Sequence, residues 1–327
     1  MTTTIAHYNI LEPLGSGGLG DVFRARDTQV GRTVALKIVD PRIVADSSRL
    51  ERLAHDAEAA MRLSHPNIAT LWDAGETAGQ AYLAYEFIAG RTLRDECGGA
   101  PMPARRALDL AIQIADGVAL AHAQGVFHGD LRPGTVMVTT KGSAKILDFG
   151  MSAWTRGGAL RVRAAVDPDE LTPDAVSVLA YLSPEQAIGG ATDARSDVFS
   201  LGAMTYEMLT GRNPFAAATA AQTILNVIKG QTTPASATNA AVPVDLDPIL
   251  TRALTPDVTQ RQQSAAAFAA ELRTVAAVLD VRAGEAITTT ALLPIDDTPD
   301  RQAATLLAGA LLAAAAAFGG IWWWLSR

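Results

Sequence analysis

The chain has one cysteine, Cys97, so no disulfide framework can form within it, and the sequence suits a reducing compartment. Basic charge is also short. Lys and Arg number 27 against 34 Asp and Glu, for a net charge of −7. Contacts to nucleic-acid phosphates need clustered cations, so nucleic acid is not expected as a partner. The five histidines show no metal-ligand spacing: His122 and His128 straddle an expected helix end and His65 precedes a proline, so zinc is not expected. The opening MTTTIAHYNILEPLG has neither a basic start nor an apolar run, which argues against a signal peptide. There is no internal repeat.

What is abundant is alanine, within a hydrophobic fraction of 49% over 327 residues, enough for one large core or two smaller ones. Residues 303–325 carry no charged side chain, and about 20 such residues span a bilayer. Trp322, Trp323 and Trp324 lie where an aromatic belt belongs. A transmembrane helix is therefore expected at 303–325, with Gly309 a place where a second copy could pack closely to form a homodimer. Residues 276–302, with mixed charge, proline and glycine, are expected to be a juxtamembrane linker.

The stretch HGDLRPGTVMVTTKGSAKILDFG, 128–150, sets two short apolar strands around a turn. A hairpin brings its ends together, so Asp130 and Asp148 should face one cleft. One carboxylate could serve a reacting hydroxyl and the other a metal. Upstream, Gly15, Gly17 and Gly20 fit G-x-G-x-x-G, and strand-forming residues follow them instead of a helix. This predicts a glycine-rich flap whose main-chain N–H groups approach phosphates. Lys37 lies within the apolar strand VALKIV and requires a partner. A helix beginning near Ser47 has an apolar face of Leu50, Leu53, Ala54, Ala57 and Met61, with Glu58 at its edge, placed to reach inward. Asp56 is expected to point elsewhere. Strands are expected at 68–72 and 81–90, and helices at 104–124, 196–210, 217–229, 246–254 and 264–279. Residues 151–182 form a long loop of the kind that usually carries function.

These motifs, in this order, resemble the protein kinases, and most closely the bacterial serine/threonine kinases of eukaryotic type. The resemblance covers residues 8–275 and rests on LGSGGLGDVF, VALKI, Glu58, HPNI, HGDL, DFG, SPEQ, SDVFSLG and Arg261. It implies an α+β, bilobal protein-kinase-like fold, with a small β-rich N-lobe (8–88) holding one helix and a larger helical C-lobe (89–275). It implies ATP and Mg²⁺ as cofactors and protein hydroxyls as substrates. Gly15, Gly17 and Gly20 would cover the phosphates. Val22 and Ala35 would roof the adenine and Met137 would floor it, and the main chain of Glu86 to Ile88 would be the hinge. Lys37 would hold phosphates and pair with Glu58, and Asp148 would ligate the metal. Asp130 would orient the acceptor hydroxyl, Asp197 would brace the catalytic loop, and Glu185–Arg261 would be a structural ion pair. Because ATP is cytosolic, the expected location is the inner (cytoplasmic) membrane, single-pass, with the kinase domain in the cytosol.

The catalytic loop departs from the family pattern H-R-D-L-K-P-x-N. Gly129 replaces the arginine that reads a phosphorylated loop, Arg132 the catalytic lysine, and Thr135 the asparagine that binds a second metal. Val178 stands where a threonine is usual. Arg132 keeps the charge in a planar, longer group, and Thr135 offers one hydroxyl oxygen to a metal. Three readings follow: an active membrane-tethered kinase, an ATP-binding pseudokinase acting as a membrane scaffold, and a small-molecule kinase, in which H-G-D also occurs. SPEQ, SDVFSLG and Arg261 weigh against the third. Without arginine at 129, phosphorylation of Thr155, Thr172 or Ser177 should have little leverage on Asp130.

Overall fold

Alternation along the strands builds the first half of the molecule. In the computed structural model, which describes residues 3–16, 19–44, 47–151, 154 and 177–291, six antiparallel strands form one sheet. They are β1 (Thr4–Ile5), β2 (Tyr8–Ser16), β3 (Gly20–Asp27), β4 (Thr33–Val39), β5 (Leu71–Thr77) and β6 (Gln80–Glu86), in the order β1-β2-β3-β4-β6-β5. Side chains of a strand point to alternate faces. Val34 and Leu36 of β4 therefore join Tyr8, Ala25, Tyr82 and Ala84 on one face. Ala35, Lys37 and Val39 face the other way, toward α1 (Ser47–Met61), where Leu53, Ala57 and Ala60 pack with Leu71, Ala81, Leu83 and Tyr85.

The face that α1 buries differs from the expected one. Leu53, Ala57 and Ala60 are buried, Leu50 is half-buried and Ala54 is exposed. Measured from the middle of that face, Asp56 lies about 65° round the helical wheel and Glu58 about 130°. Glu58 is exposed and Asp56 is half-buried. The expectation for Glu58 fails because Leu50, which served as its reference, lies at the margin of the face.

After β6 the chain turns through β7 (Gly90–Thr92), α2 (Leu93–Cys97) and α3 (Ala104–Ala123), then forms the hairpin β8 (Val136–Thr139) and β9 (Ala144–Ile146). Strands β7, β8 and β9 make a second small sheet. Asn67 and Ala69 bond Ile146 through main-chain groups at 2.8 Å each, which ties the segment before β5 to this hairpin. The strand expected at 68–72 is thus a single bridge followed by β5. The helical half continues with α4 (Pro184–Ala187), α5 (Ala194–Thr210), α6 (Ala220–Lys229), α7 (Ala235–Thr238), α8 (Asp247–Ala253) and α9 (Ala265–Ala291). Helix α5 is buried almost all round and packs on α3. The Asp193 side chain accepts from Arg195 N at its start, and Gly211 in the left-handed region ends it.

The architecture is a β-rich N-lobe with one long helix followed by a helical C-lobe, as expected. The chain divides into two compact units, Met1–Val278 and Leu279–Arg327. Helix α9 runs to Ala291, so the first part of the stretch expected as a linker is helical. Among the described residues no helix is long and apolar enough to cross a membrane, and the span expected at 303–325 lies outside them.

Candidate active site

A cleft of about 500 Å³ lies below β2 and β3 and above the β8–β9 hairpin. Val22, Ala35, Met137 and Leu147 give it apolar walls, Glu86, Phe87 and Ile88 form its rim, and Lys37, Thr135 and Asp148 sit at its polar end. Gly15 and Arg132 also line it. A pocket with apolar walls and a few convergent polar groups suits a nucleotide. Gly17 lies outside the described residues. Gly20 has a role the motif does not reveal: a Cβ there would lie 2.1 Å from the Ile38 carbonyl oxygen, so glycine lets β3 close on β4. Tyr85, absent from the sequence reading, closes the inner end. Its ring is buried and its hydroxyl has no hydrogen-bond partner. Burial first, then the charge of Asp148, hold its phenol well above the usual pKa.

Lys37 does not meet Glu58. Its ammonium instead bonds Asp148 Oδ1, with both residues buried. Asp148 is one of few non-glycine residues with positive φ, at 60°. Strain of this kind persists where the surroundings enforce it, and it clusters at functional sites. Asp56 Oδ2 accepts a hydrogen bond from Trp154 Nε1 at 2.8 Å. Asp56 is the residue expected to point elsewhere, and nothing in the sequence singles out Trp154, which stands alone in an aperiodic stretch.

The catalytic-loop segment hangs on Asp197 of α5. This buried carboxylate accepts from His128 N, Gly129 N and His122 Nε2, each at 2.8 Å. Burial would raise its pKa, but the His122 hydrogen bond and the His128 groups outweigh that and hold it below the ordinary range. His128 accepts from Asp130 N at Nδ1 and faces the Leu147 carbonyl at Nε2, 2.9 Å away. Those partners select the tautomer protonated at Nε2. The phenyl ring of Phe149 packs edge-on against His128. Gly129 has φ +68°, a region in which a side chain is costly, so its glycine also relieves the backbone.

Asp130 is 5% exposed, with Oδ1 3.4 Å from Arg132 Nε and Oδ2 lacking any hydrogen-bond partner among the described residues. A buried carboxylate oxygen without a donor is costly unless a ligand supplies one, and an acceptor hydroxyl would. The Arg132 guanidinium extends over Gly134, where a Cβ would lie 2.5 Å from its NH1. Thr135 does not hold its hydroxyl free as a metal-ligand role would need. Oγ1 lies 2.9 Å from Arg132 O and 3.2 Å from Asp130 O, and accepts from Arg132 N at 3.1 Å. Its one proton and one of its two lone pairs are spent on closing the loop. Among the described residues there is no group of three or more His, Cys, Asp or Glu that could hold a metal. Asp148 with phosphate oxygens and water fits one Mg²⁺, and the donor set does not fit a second.

The Glu185–Arg261 pair forms as expected, bidentate at 2.8 Å for both bonds, with Arg261 2% exposed. Arg261 also donates to the Thr255, Arg195 and Pro256 carbonyls. Burial would raise the Glu185 pKa, but Arg261 and Ser196 hold it below the ordinary 4.5. Its stabilising share is therefore fully present above the unfolded value and is lost as pH falls through the lower folded value. Arg261→Ala should cost about 3 kcal/mol in denaturant unfolding at neutral pH, because it removes the main partner of a half-buried carboxylate that keeps only Ser196. The gap to wild type should narrow below pH 4.5. A gap independent of pH would show that packing, and not charge, is what the arginine supplies.

The comparisons decide the family. The family described as protein kinase domain matches residues 8–272. The chain belongs to the protein kinase family. This kinase domain is similar to serine/threonine-protein kinase PknB of Mycobacterium leprae, 33% identical over 272 residues, which cover 81% of this chain and 42% of PknB. It is similar to serine/threonine-protein kinase PrkC of Bacillus subtilis at 31% over 268 residues, covering 82% of this chain and 40% of PrkC. A crystal structure of the PknI kinase domain of Mycobacterium tuberculosis superposes with a TM-score of 0.66 at 25% identity, covering 84% of this chain and 97% of that one. The chain spans less than half the length of PknB and PrkC.

Proposed function

We propose that the chain is a membrane-tethered serine/threonine protein kinase that transfers the γ-phosphoryl group of ATP to protein hydroxyls. The observation that carries this is the buried Oδ2 of Asp130, without a donor among the described residues, at the loop that ends one side of the cleft. A serine or threonine hydroxyl bonded there is oriented for attack and gives its proton to the carboxylate. Lys37 holds the α- and β-phosphates, and Arg132 places a fixed positive charge beside Asp130, where charge develops during transfer. Val22, Ala35 and Met137 hold the adenine between them, against the hinge at Glu86 to Ile88. Asp148 would hold Mg²⁺, which would supply positive charge to offset that of the phosphates. The uncharged run at 303–325 supports a single-pass anchor in the cytoplasmic membrane, with the kinase domain on the ATP side.

The names of PknB and PrkC support the activity, and their larger size leaves substrates to experiment. One observation favours a second reading, an ATP-binding scaffold with little transfer: the committed hydroxyl of Thr135. Membranes from cells producing the full chain, washed with alkali and incubated with γ-labelled ATP and generic protein acceptors, separate the two. Label transferred by the washed pellet, and absent with Asp130→Asn, is the expected result. No label above that control refutes transfer, and loss of the chain from the pellet refutes the anchor.

A further inference from the structure

The Lys37 ammonium has a neighbour besides Asp148. It lies over the Tyr85 ring, 5.2 Å from the centroid. The strand register puts it there. In the pairing of β4 with β6, Ala35 stands opposite Tyr85 and Lys37 opposite Leu83, so Lys37 and Tyr85 are diagonal neighbours on the face that α1 covers. Diagonal pairs of this kind are within reach of an aromatic ring and a long side chain. Strand β6 is bonded to β4 on one side and to β5 on the other, where Tyr85 stands opposite Leu71. The ring is 4% exposed and packs in one cluster with Leu53 and Ala57 of α1 and with Leu71 and Leu83 of the sheet. Its place is therefore fixed from both flanking strands and from the helix. Glu58, in contrast, is exposed.

We propose that Tyr85 is a positioning residue for phosphate binding: its ring, and not its hydroxyl, holds the Lys37 ammonium at the inner end of the cleft. The inference rests on the cleft being a nucleotide site and deepens that reading to how its phosphate-binding cation is held. A cation over an aromatic face is attracted by the ring quadrupole, and more strongly where water is excluded. Lys37 and Tyr85 are both buried, so this contact is of the stronger kind. A carboxylate cancels the charge of an ammonium it holds, as Asp148 does here. A ring attracts the cation and leaves its charge whole for an arriving anion. The ring also occupies none of the three N–H donors in the way a hydrogen-bonded partner would. The hydroxyl has no part in this, since it is buried without a hydrogen-bond partner among the described residues.

The test uses the full chain and compares ATP with adenosine by calorimetry, with EDTA present so that the chain's own cations alone meet the phosphates. Tyr85→Met fills the space with an adaptable apolar side chain and removes the ring. It should weaken ATP binding about tenfold to thirtyfold while adenosine changes by less than about twofold, because only ATP carries the phosphates that Lys37 meets. A ring that merely packed the adenine end would move both ligands together. Tyr85→Phe should keep wild-type affinity for both and raise the midpoint of denaturant unfolding, since it removes an unpartnered buried hydroxyl. Tyr85→Leu serves in its place if Tyr85→Met melts early. Equal losses for ATP and adenosine, full ATP affinity in a variant without the ring, or a loss that Tyr85→Phe shares overturns the proposal and leaves the nucleotide reading standing. Wild type that binds neither ligand refutes the nucleotide reading and takes the proposal with it. If the ATP-selective loss appears but the washed membranes transfer no label, the role of the ring stands and the transfer reading falls.

Discussion

Asp148→Asn should leave nucleotide binding at its metal-free level and lower turnover about a thousandfold or more, because it removes the charge on which the metal depends. Asparagine is the informative substitution here. Residue 148 sits at φ 60°, and asparagine tolerates that region better than alanine does. The backbone of the D-F-G turn should therefore survive while the anion disappears. The amide oxygen can still accept from Lys37, so that buried ammonium keeps a hydrogen bond without a counter-charge. Lys37 is then freer to meet phosphate, and metal-free binding should persist. Calorimetric titration with and without EDTA checks this. Wild type should lose affinity when chelated, and the variant should not respond. A variant that still gains affinity from Mg²⁺ would place the metal elsewhere.

Thr135→Asn should raise turnover by about tenfold to a hundredfold, with little effect on nucleotide affinity. Threonine has one proton and two lone pairs on one oxygen, and the loop takes the proton and one lone pair: the oxygen lies 2.9 Å from Arg132 O and accepts from Arg132 N at 3.1 Å. An asparagine amide separates the two tasks. Its NH₂ can donate to the Asp130 and Arg132 carbonyls while its oxygen turns to the phosphates as a metal ligand. The gain belongs to the transition state, so it should appear in kcat and steepen the dependence of rate on Mg²⁺ concentration. Initial rates at saturating ATP over a magnesium series measure it. A flat response would mean that a second metal does not limit this enzyme, and the scaffold reading would lose its main support.

Most of the fold was legible because its signals are local. Strand alternation in VALKIV and the apolar helical stretches at 104–124 and 196–210 all act within a few residues. The Glu185–Arg261 pair was legible through family resemblance, which carries long-range pairing that local patterns do not. What failed was rotation about an axis. The face of α1 is set by Leu71, Leu83 and Trp154 packing on it, and a window of its own residues cannot show which edge they choose. The sequence places Glu58 inward, and in the structure Glu58 is exposed while Asp56 is half-buried and meets Trp154. Hydroxyl commitments such as that of Thr135 were equally hidden, since they depend on loop closure and not on residue type.

Asp197 holds the catalytic loop almost wholly through main-chain N–H groups, those of His128 and Gly129, and Gln186 reaches the Gly129 carbonyl from the other side at 2.9 Å. An anchor of that kind does not read side-chain identity. A change at 132 can therefore be made without touching this anchor, whereas Gly129, at φ +68°, and Thr135, whose hydroxyl closes the loop, carry backbone roles as well. A chain of this design can change its catalytic capability in single substitutions, in either direction, while remaining a folded kinase domain throughout.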